Sequence, residues 1–213
     1  MMWDALIDNA EALAWVVANP GSGCGLIFDP TWELHIGRLE SAGVQVIGYV
    51  DSGYGSRTPE ELERELRTWR EWYGIDGVFL DRAPSSGGRW LRDWTSVSGS
   101  VPVSYTVANS GTCADPRLRD VFDEVCDYEG SWRDLYAHGP CTESAAGTCK
   151  IVYGAASDKV ISVATELSKH ADTIWVTDRN GVNPYDGLPA AFAELASEIV
   201  SIRDASHVLS SSL

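Results

Sequence analysis

Short runs rich in Val, Ile and aromatic residues alternate along the chain with stretches whose apolar positions recur every three to four residues. The first pattern predicts strands and the second predicts amphipathic helices. Strands are expected at 12–18, 44–50, 77–80, 101–107, 124–128, 151–153 and 173–177. Helix starts are expected at Asp29-Pro30, Thr58-Pro59 and Asp115-Pro116, where a capping side chain precedes a proline at the first helical position. Thr58-Pro59-Glu60-Glu61 also has capping-box spacing, and Leu62, Leu66, Trp69 and Tyr73 then line one face. Ser157 is expected to cap a helix with Val160, Ala164 and Leu167 inward, and a last helix follows Pro189. One domain is expected over 1–206, with a Ser-rich disordered tail at 207–213.

Seven strand–helix units predict an α/β fold with a parallel sheet, since each crossover helix returns the chain to the same end. A doubly wound sheet and a (β/α) barrel compete. Gly21-Ser22-Gly23-Cys24-Gly25 follows the first strand, but Leu26 stands where the third glycine of a dinucleotide fingerprint belongs, and no Gly-Lys-Ser/Thr occurs. Asn19, Asp51, Asp81, Asn109, Glu129 and Asp178 instead spread polar groups over six of the seven strand ends. That distribution suits the rim of a TIM-like barrel, here with seven recognised strands rather than eight.

The 213 residues carry 16 Lys and Arg against 31 Asp and Glu, a net charge of −15, which repels phosphate backbones and argues against nucleic acid. No apolar run is long enough to cross a bilayer. Nine Trp and eight Tyr against four Phe suit stacking on sugar faces as well as core packing. No zinc spacing links Cys24, Cys113, Cys126, Cys141 and Cys149 to the four scattered His, so neither a metal nor a cofactor is expected. Cys141 and Cys149 flank a small-residue loop that a disulfide can close in an oxidising compartment, and the odd count leaves a free thiol. Met1-Met2-Trp3-Asp4 shows no leader pattern. No heptad pattern fixes an oligomeric state.

Asp81 and Glu129 are the candidate catalytic residues. Each ends a short strand, and two carboxylates across a sugar-sized gap are the apparatus of glycoside hydrolysis. The alternative is that each caps backbone N–H groups of the next turn. Asp51 precedes Ser52-Gly53-Tyr54-Gly55, a loop able to hold Tyr54 over a ligand. Asp178 precedes Arg179, where a local salt bridge competes with a role in binding. Trp132 and Trp175 are stacking candidates whose other role is packing. Gly-x-Ser-x-Gly is absent, and no His has a recognisable partner role for Cys24, so Ser and Cys nucleophiles are not expected.

Three segments resemble the spherulation-specific (spherulin 4-like) family: Ala18-Asn19-Pro20-Gly21-Ser22-Gly23, Val46-Ile47-Gly48-Tyr49-Val50-Asp51-Ser52-Gly53-Tyr54-Gly55-Ser56-Arg57 and Trp72-Tyr73-Gly74-Ile75-Asp76-Gly77-Val78-Phe79-Leu80-Asp81. Asp127-Tyr128-Glu129-Gly130, Trp175-Val176-Thr177-Asp178 and Asn183-Pro184-Tyr185-Asp186 fit its later parts. The resemblance implies a (β/α) barrel related to microbial enzymes that cut α-1,4-linked galactosamine polysaccharide with retention. By position Asp81 is then the nucleophile or its stabiliser and Glu129 the general acid/base. Tyr49, Asp51, Tyr54 and Asn109 line the sugar groove, with Asn19, Trp132 and Asp178 as further contacts. The chain departs from the pattern in three places. Arg82 stands where the family carries a second acid, which would set a cation beside Asp81. Tyr153 stands where relatives carry His. The family's first strand is missing before the helix that Trp3-Asp4-Ala5-Leu6 begins, so either the barrel is open by one strand or an upstream start restores the strand and can bring an export signal. The liability of an exposed sheet edge makes the upstream start the expectation. A non-catalytic carbohydrate-binding barrel is the competing function, and Arg82 is the feature that favours it. A sugar-phosphate enzyme is disfavoured by the charge and the missing phosphate loop.

Overall fold

The computed structural model describes residues 2–139 and 146–210, without the side chains of His138 and 206–210. Seven strands run in chain order: β1 Val16–Ala18, β2 Val46–Asp51, β3 Gly77–Asp81, β4 Tyr105–Asn109, β5 Glu124–Ser131, β6 Thr148–Tyr153 and β7 Thr173–Val176. The helices are α1 Met2–Asp8, α2 Pro30–Ser41, α3 Pro59–Tyr73, α4 Arg89–Ser100, α5 Trp132–His138, α6 Val160–Leu167 and α7 Phe192–Ser210. Every strand pairs in parallel with its sequence neighbour, giving the spatial order β1 to β7. No β7–β1 pair occurs among the described residues, so the sheet is an open, curled half-barrel of the TIM-like kind.

Side-chain alternation explains the curl. Ile47, Phe79, Val107, Cys126, Cys149 and Ile151 form one cluster with Trp15, Val17, Tyr49, Tyr105 and Trp175, so inward residues from all seven strand regions meet in one interior. At its lower end the buried Glu124 Oε1 accepts from Tyr105 Oη at 2.6 Å, Thr173 Oγ1 at 2.8 Å and Trp15 Nε1 at 3.5 Å. One carboxylate thus ties the region of β1 to β4, β5 and β7, which a flat sheet cannot do. Outside, Arg203 of α7 donates to the Glu11 carbonyl at 2.7 Å, joining the last helix to the chain just before β1.

Helix α3 forms as its sequence predicts. Thr58 accepts the Glu61 N–H, Glu61 accepts the Thr58 N–H, and Leu62, Leu66, Trp69 and Tyr73 are buried. Trp69 reaches the sheet, donating to the Tyr49 carbonyl at 3.0 Å. Position 48 is glycine because a Cβ there would stand 2.6 Å from the Trp69 ring. Thr58→Ala removes the cap and is expected to cost about 1 kcal/mol in a denaturant titration, with the fold retained.

Several expectations change. The first strand is only Val16–Ala18, because 10–12 form a tight 3₁₀ turn instead. Asp115 does cap, accepting from Arg117 N, but Pro116 starts only a 3₁₀ turn that ends at Asp120. Ser157 is not a helix cap; its hydroxyl donates to Asp178. The Cys141–Cys149 disulfide does not form. Cys149 is a free, fully buried thiol facing the interior opposite Cys126, whereas Cys113 is disulfide-bonded and Cys141 lies outside the described residues. The backbone of 207–210 continues α7, and 211–213 of the expected tail lie outside the described residues.

Candidate active site

The strand ends that carry acids also carry the right phase. Ile47, Tyr49 and Asp51 share one face of β2, Phe79 and Asp81 one face of β3, and Val107 and Asn109 one face of β4. Their lower members lie in the interior cluster, so their upper members turn to the C-terminal mouth. Strand β5 breaks this rule. Cys126 faces the interior, and a period of two would put Tyr128 inward and Glu129 outward. A bulge between Cys126 and Tyr128 leaves Asp127 without a register partner and resets the phase. Tyr128 then packs with Leu135 and Val152 outside, and Glu129 turns to the mouth.

There the two acids meet through a third residue. The buried Asn109 Nδ2 donates to Asp81 Oδ1 at 2.8 Å and to Glu129 Oε2. Its amide orientation is fixed, because Oδ1 accepts the Gly111 N–H at 3.0 Å. Two oxygens bridged by one nitrogen stand no farther apart than two hydrogen-bond lengths, at most about 6 Å. Tyr49 Oη donates to Asp81 Oδ2 at 2.5 Å, and Tyr185 Oη donates to Glu129 Oε1 at 2.6 Å. Burial first, then the carboxylate each one faces, pushes both phenols well above the ordinary range. They stay protonated donors wherever the carboxylates are charged. All four carboxylate oxygens of the pair are therefore occupied by neutral donors.

Arg82 does not face Asp81 as the sequence suggests. It follows a strand end with φ 50°, a left-handed conformation unusual for a bulky residue, and this turns its side chain away. The guanidinium donates from Nε to Asp51 Oδ1 at 2.7 Å and from Nη2 to Asp51 Oδ2. These bonds hold Asp51 below the usual carboxylate range. The same group lies 5.4 Å from the ring centre of Tyr54, itself exposed and at φ 55°. The Arg82 carbonyl is gripped by Ser52 Oγ at 2.6 Å and Tyr54 N–H at 2.8 Å, which holds the strained turn in place.

Of the sequence candidates, Asp81, Glu129, Tyr49 and Asn109 thus form one hydrogen-bonded network, with Asp51 and Tyr54 beside it. The rest bind elsewhere. Asn19 Oδ1 accepts the Gly23 N–H at 2.9 Å and shapes its own loop. Asp178 accepts from Ser157 Oγ at 2.8 Å and Ala190 N–H at 3.2 Å, and the local salt bridge joins Arg179 to Asp186 instead. Trp132 opens α5, half-buried against Tyr136 and the outer cluster. Tyr185 is the site residue that the sequence reading did not single out. Its one signal is its place in the Asn183-Pro184-Tyr185-Asp186 segment.

Comparison with known proteins agrees with this architecture. Spherulin-4 of Physarum polycephalum is 24% identical over 140 residues, which are 62% of this chain and 42% of that protein, so the chain spans under half of its length. Among solved structures, Aspergillus clavatus Sph3 in complex with GalNAc superposes with a TM-score of 0.80 at 24% identity, covering 93% of this chain and 91% of that one. The glycoside hydrolase domain of PelA from Pseudomonas aeruginosa gives 0.52 at 14% identity, covering 83% and 93%. Residues 1–199 match spherulation-specific family 4, and the chain belongs to that family.

Proposed function

We propose that this chain is a glycoside hydrolase that cuts galactosamine-containing polysaccharide with retention, using Asp81 as nucleophile and Glu129 as general acid/base. The observation that carries the reading is the Asn109 amide held between the two carboxylates. It brings the facing oxygens Asp81 Oδ1 and Glu129 Oε2 within about 6 Å of each other, which favours the roughly 5–5.5 Å carboxyl spacing of retaining enzymes over the roughly 6.5–9.5 Å that inversion needs for an intervening water. Asp81, fixed by Tyr49 and Asn109, attacks the anomeric carbon. Glu129 protonates the departing oxygen, then takes a proton from the water that releases the sugar. That one structural neighbour was crystallised with GalNAc and another is a glycoside hydrolase domain supports the substrate class. Arg82, the residue that favours a non-catalytic barrel, is engaged by Asp51, which leaves Asp81 to its two neutral donors.

The test is release of new reducing ends from a galactosamine-containing polymer. The wild-type chain is expected to release them and the Asp81→Asn/Glu129→Gln double variant to release none. Equal product from both, or binding of the polymer by the wild type without cleavage, overturns the reading.

A further inference from the structure

The two oxygens of Glu129 meet partners of different kinds. Oε2 faces the Asn109 amide nitrogen, which only donates and is locked in that sense by Gly111. Oε1 faces Tyr185 Oη at 2.6 Å. A hydroxyl donates to a carboxylate and equally accepts from a carboxylic acid. The Tyr185 contact is thus the one on Glu129 that can take up the acid proton, by reversing its direction, while Oε2 goes on accepting from Asn109.

The segment around Tyr185 is built to hold that contact. Asn183 Oδ1 accepts the Tyr185 N–H at 3.0 Å, and Arg179 pairs with Asp186 across the turn. Gly187 lies so close to the Arg179 guanidinium that a Cβ would stand 2.9 Å from its carbon. Asp178, at the end of β7, accepts the Ala190 N–H and closes the loop. Tyr185 itself is 42% exposed, so its hydroxyl reaches Glu129 from the solvent edge of the mouth.

We infer that Tyr185 is a positioning residue that keeps the acid proton of Glu129 on Oε1, at the open edge of the cleft and away from the oxygen bridged by Asn109. The inference rests on the hydrolase reading above. In the neutral acid, Oε1–H donates to the phenol oxygen. When substrate binds, the glycosidic oxygen replaces the phenol as acceptor. The proton passes to that oxygen as its bond to the anomeric carbon breaks and Asp81 bonds to the carbon. The phenol then turns its own hydrogen onto the carboxylate that remains.

Leaving-group dependence tests this. A natural sugar leaving group needs the proton, whereas an acidic nitrophenol departs without it. Tyr185→Phe keeps the ring and loses the hydroxyl. It is expected to lower polysaccharide turnover by about 10- to 100-fold, part of what a general acid supplies, with little change on a nitrophenyl galactosaminide. Equal losses on both substrates, or no loss on either, overturn the inference while the hydrolase reading stands. A wild-type chain inert on both substrates overturns the two together.

Discussion

Glu129→Gln is expected to lower polysaccharide turnover by about 10²- to 10⁴-fold while binding persists. The substitution is close to isosteric, and its neighbours can accept it. The amide oxygen of the new residue takes the Asn109 donor, and its NH₂ faces Tyr185, whose hydroxyl accepts instead of donating. No polar group is orphaned, so the fold survives and only the exchangeable proton is lost. Added azide separates the roles of the two acids on a nitrophenyl galactosaminide, whose leaving group departs without the acid. With Glu129 as acid/base, azide attacks the glycosyl–Asp81 intermediate in place of activated water. It restores turnover and gives a glycosyl azide of the substrate's own anomeric configuration. With Glu129 as nucleophile, the rescued product has the opposite configuration. Turnover unchanged in Glu129→Gln removes Glu129 from the chemistry altogether.

Much of this arrangement is legible in the sequence, and the reason is periodicity. Strand ends that carry Asp51, Asp81 and Asn109 can be placed because period-two alternation runs unbroken through β2, β3 and β4. Helix α3 can be placed because Thr58, Pro59 and Glu61 act locally. What the sequence hides is long-range. Arg82 looks like a neighbour of Asp81, yet its partner lies on the adjacent strand, and a left-handed backbone turns it there. Cys149 looks like the near end of a loop disulfide, yet the inward face of β6 claims it. Asn109 reads as a groove residue, whereas its position between both acids depends on the register of three strands. Tyr185 lies 56 positions from Glu129, and no local pattern joins them.

The bulge in β5 is the least legible feature and the one on which Glu129 most depends, so its support is the place to strike. Asp127 is the unpaired residue of the bulge and is buried, as is Lys150 on β6. Lys150 Nζ donates to Asp127 Oδ1 at 2.6 Å, and Arg119 Nη2 lies 3.5 Å from Oδ2. Asp127→Ala leaves the Lys150 ammonium buried with no counter-charge, which is expected to cost about 3–5 kcal/mol in a denaturant titration. Lys150→Met is the milder change, since Asp127 keeps Arg119 beside it. The Asp127→Ala/Lys150→Met pair removes both fully buried charges, and its stability is expected to recover in part, since Arg119 is left without its carboxylate. Activity should not return with it. Without the ion pair the extra residue of β5 loses the side-chain bond that pins it to β6, and the strand is freer to slip back to simple alternation, which turns Glu129 away from Asn109 and Asp81. A stable double variant with full turnover would mean that the ion pair has no part in aiming Glu129. A stable, inactive one ties the buried charge to the geometry of the mouth.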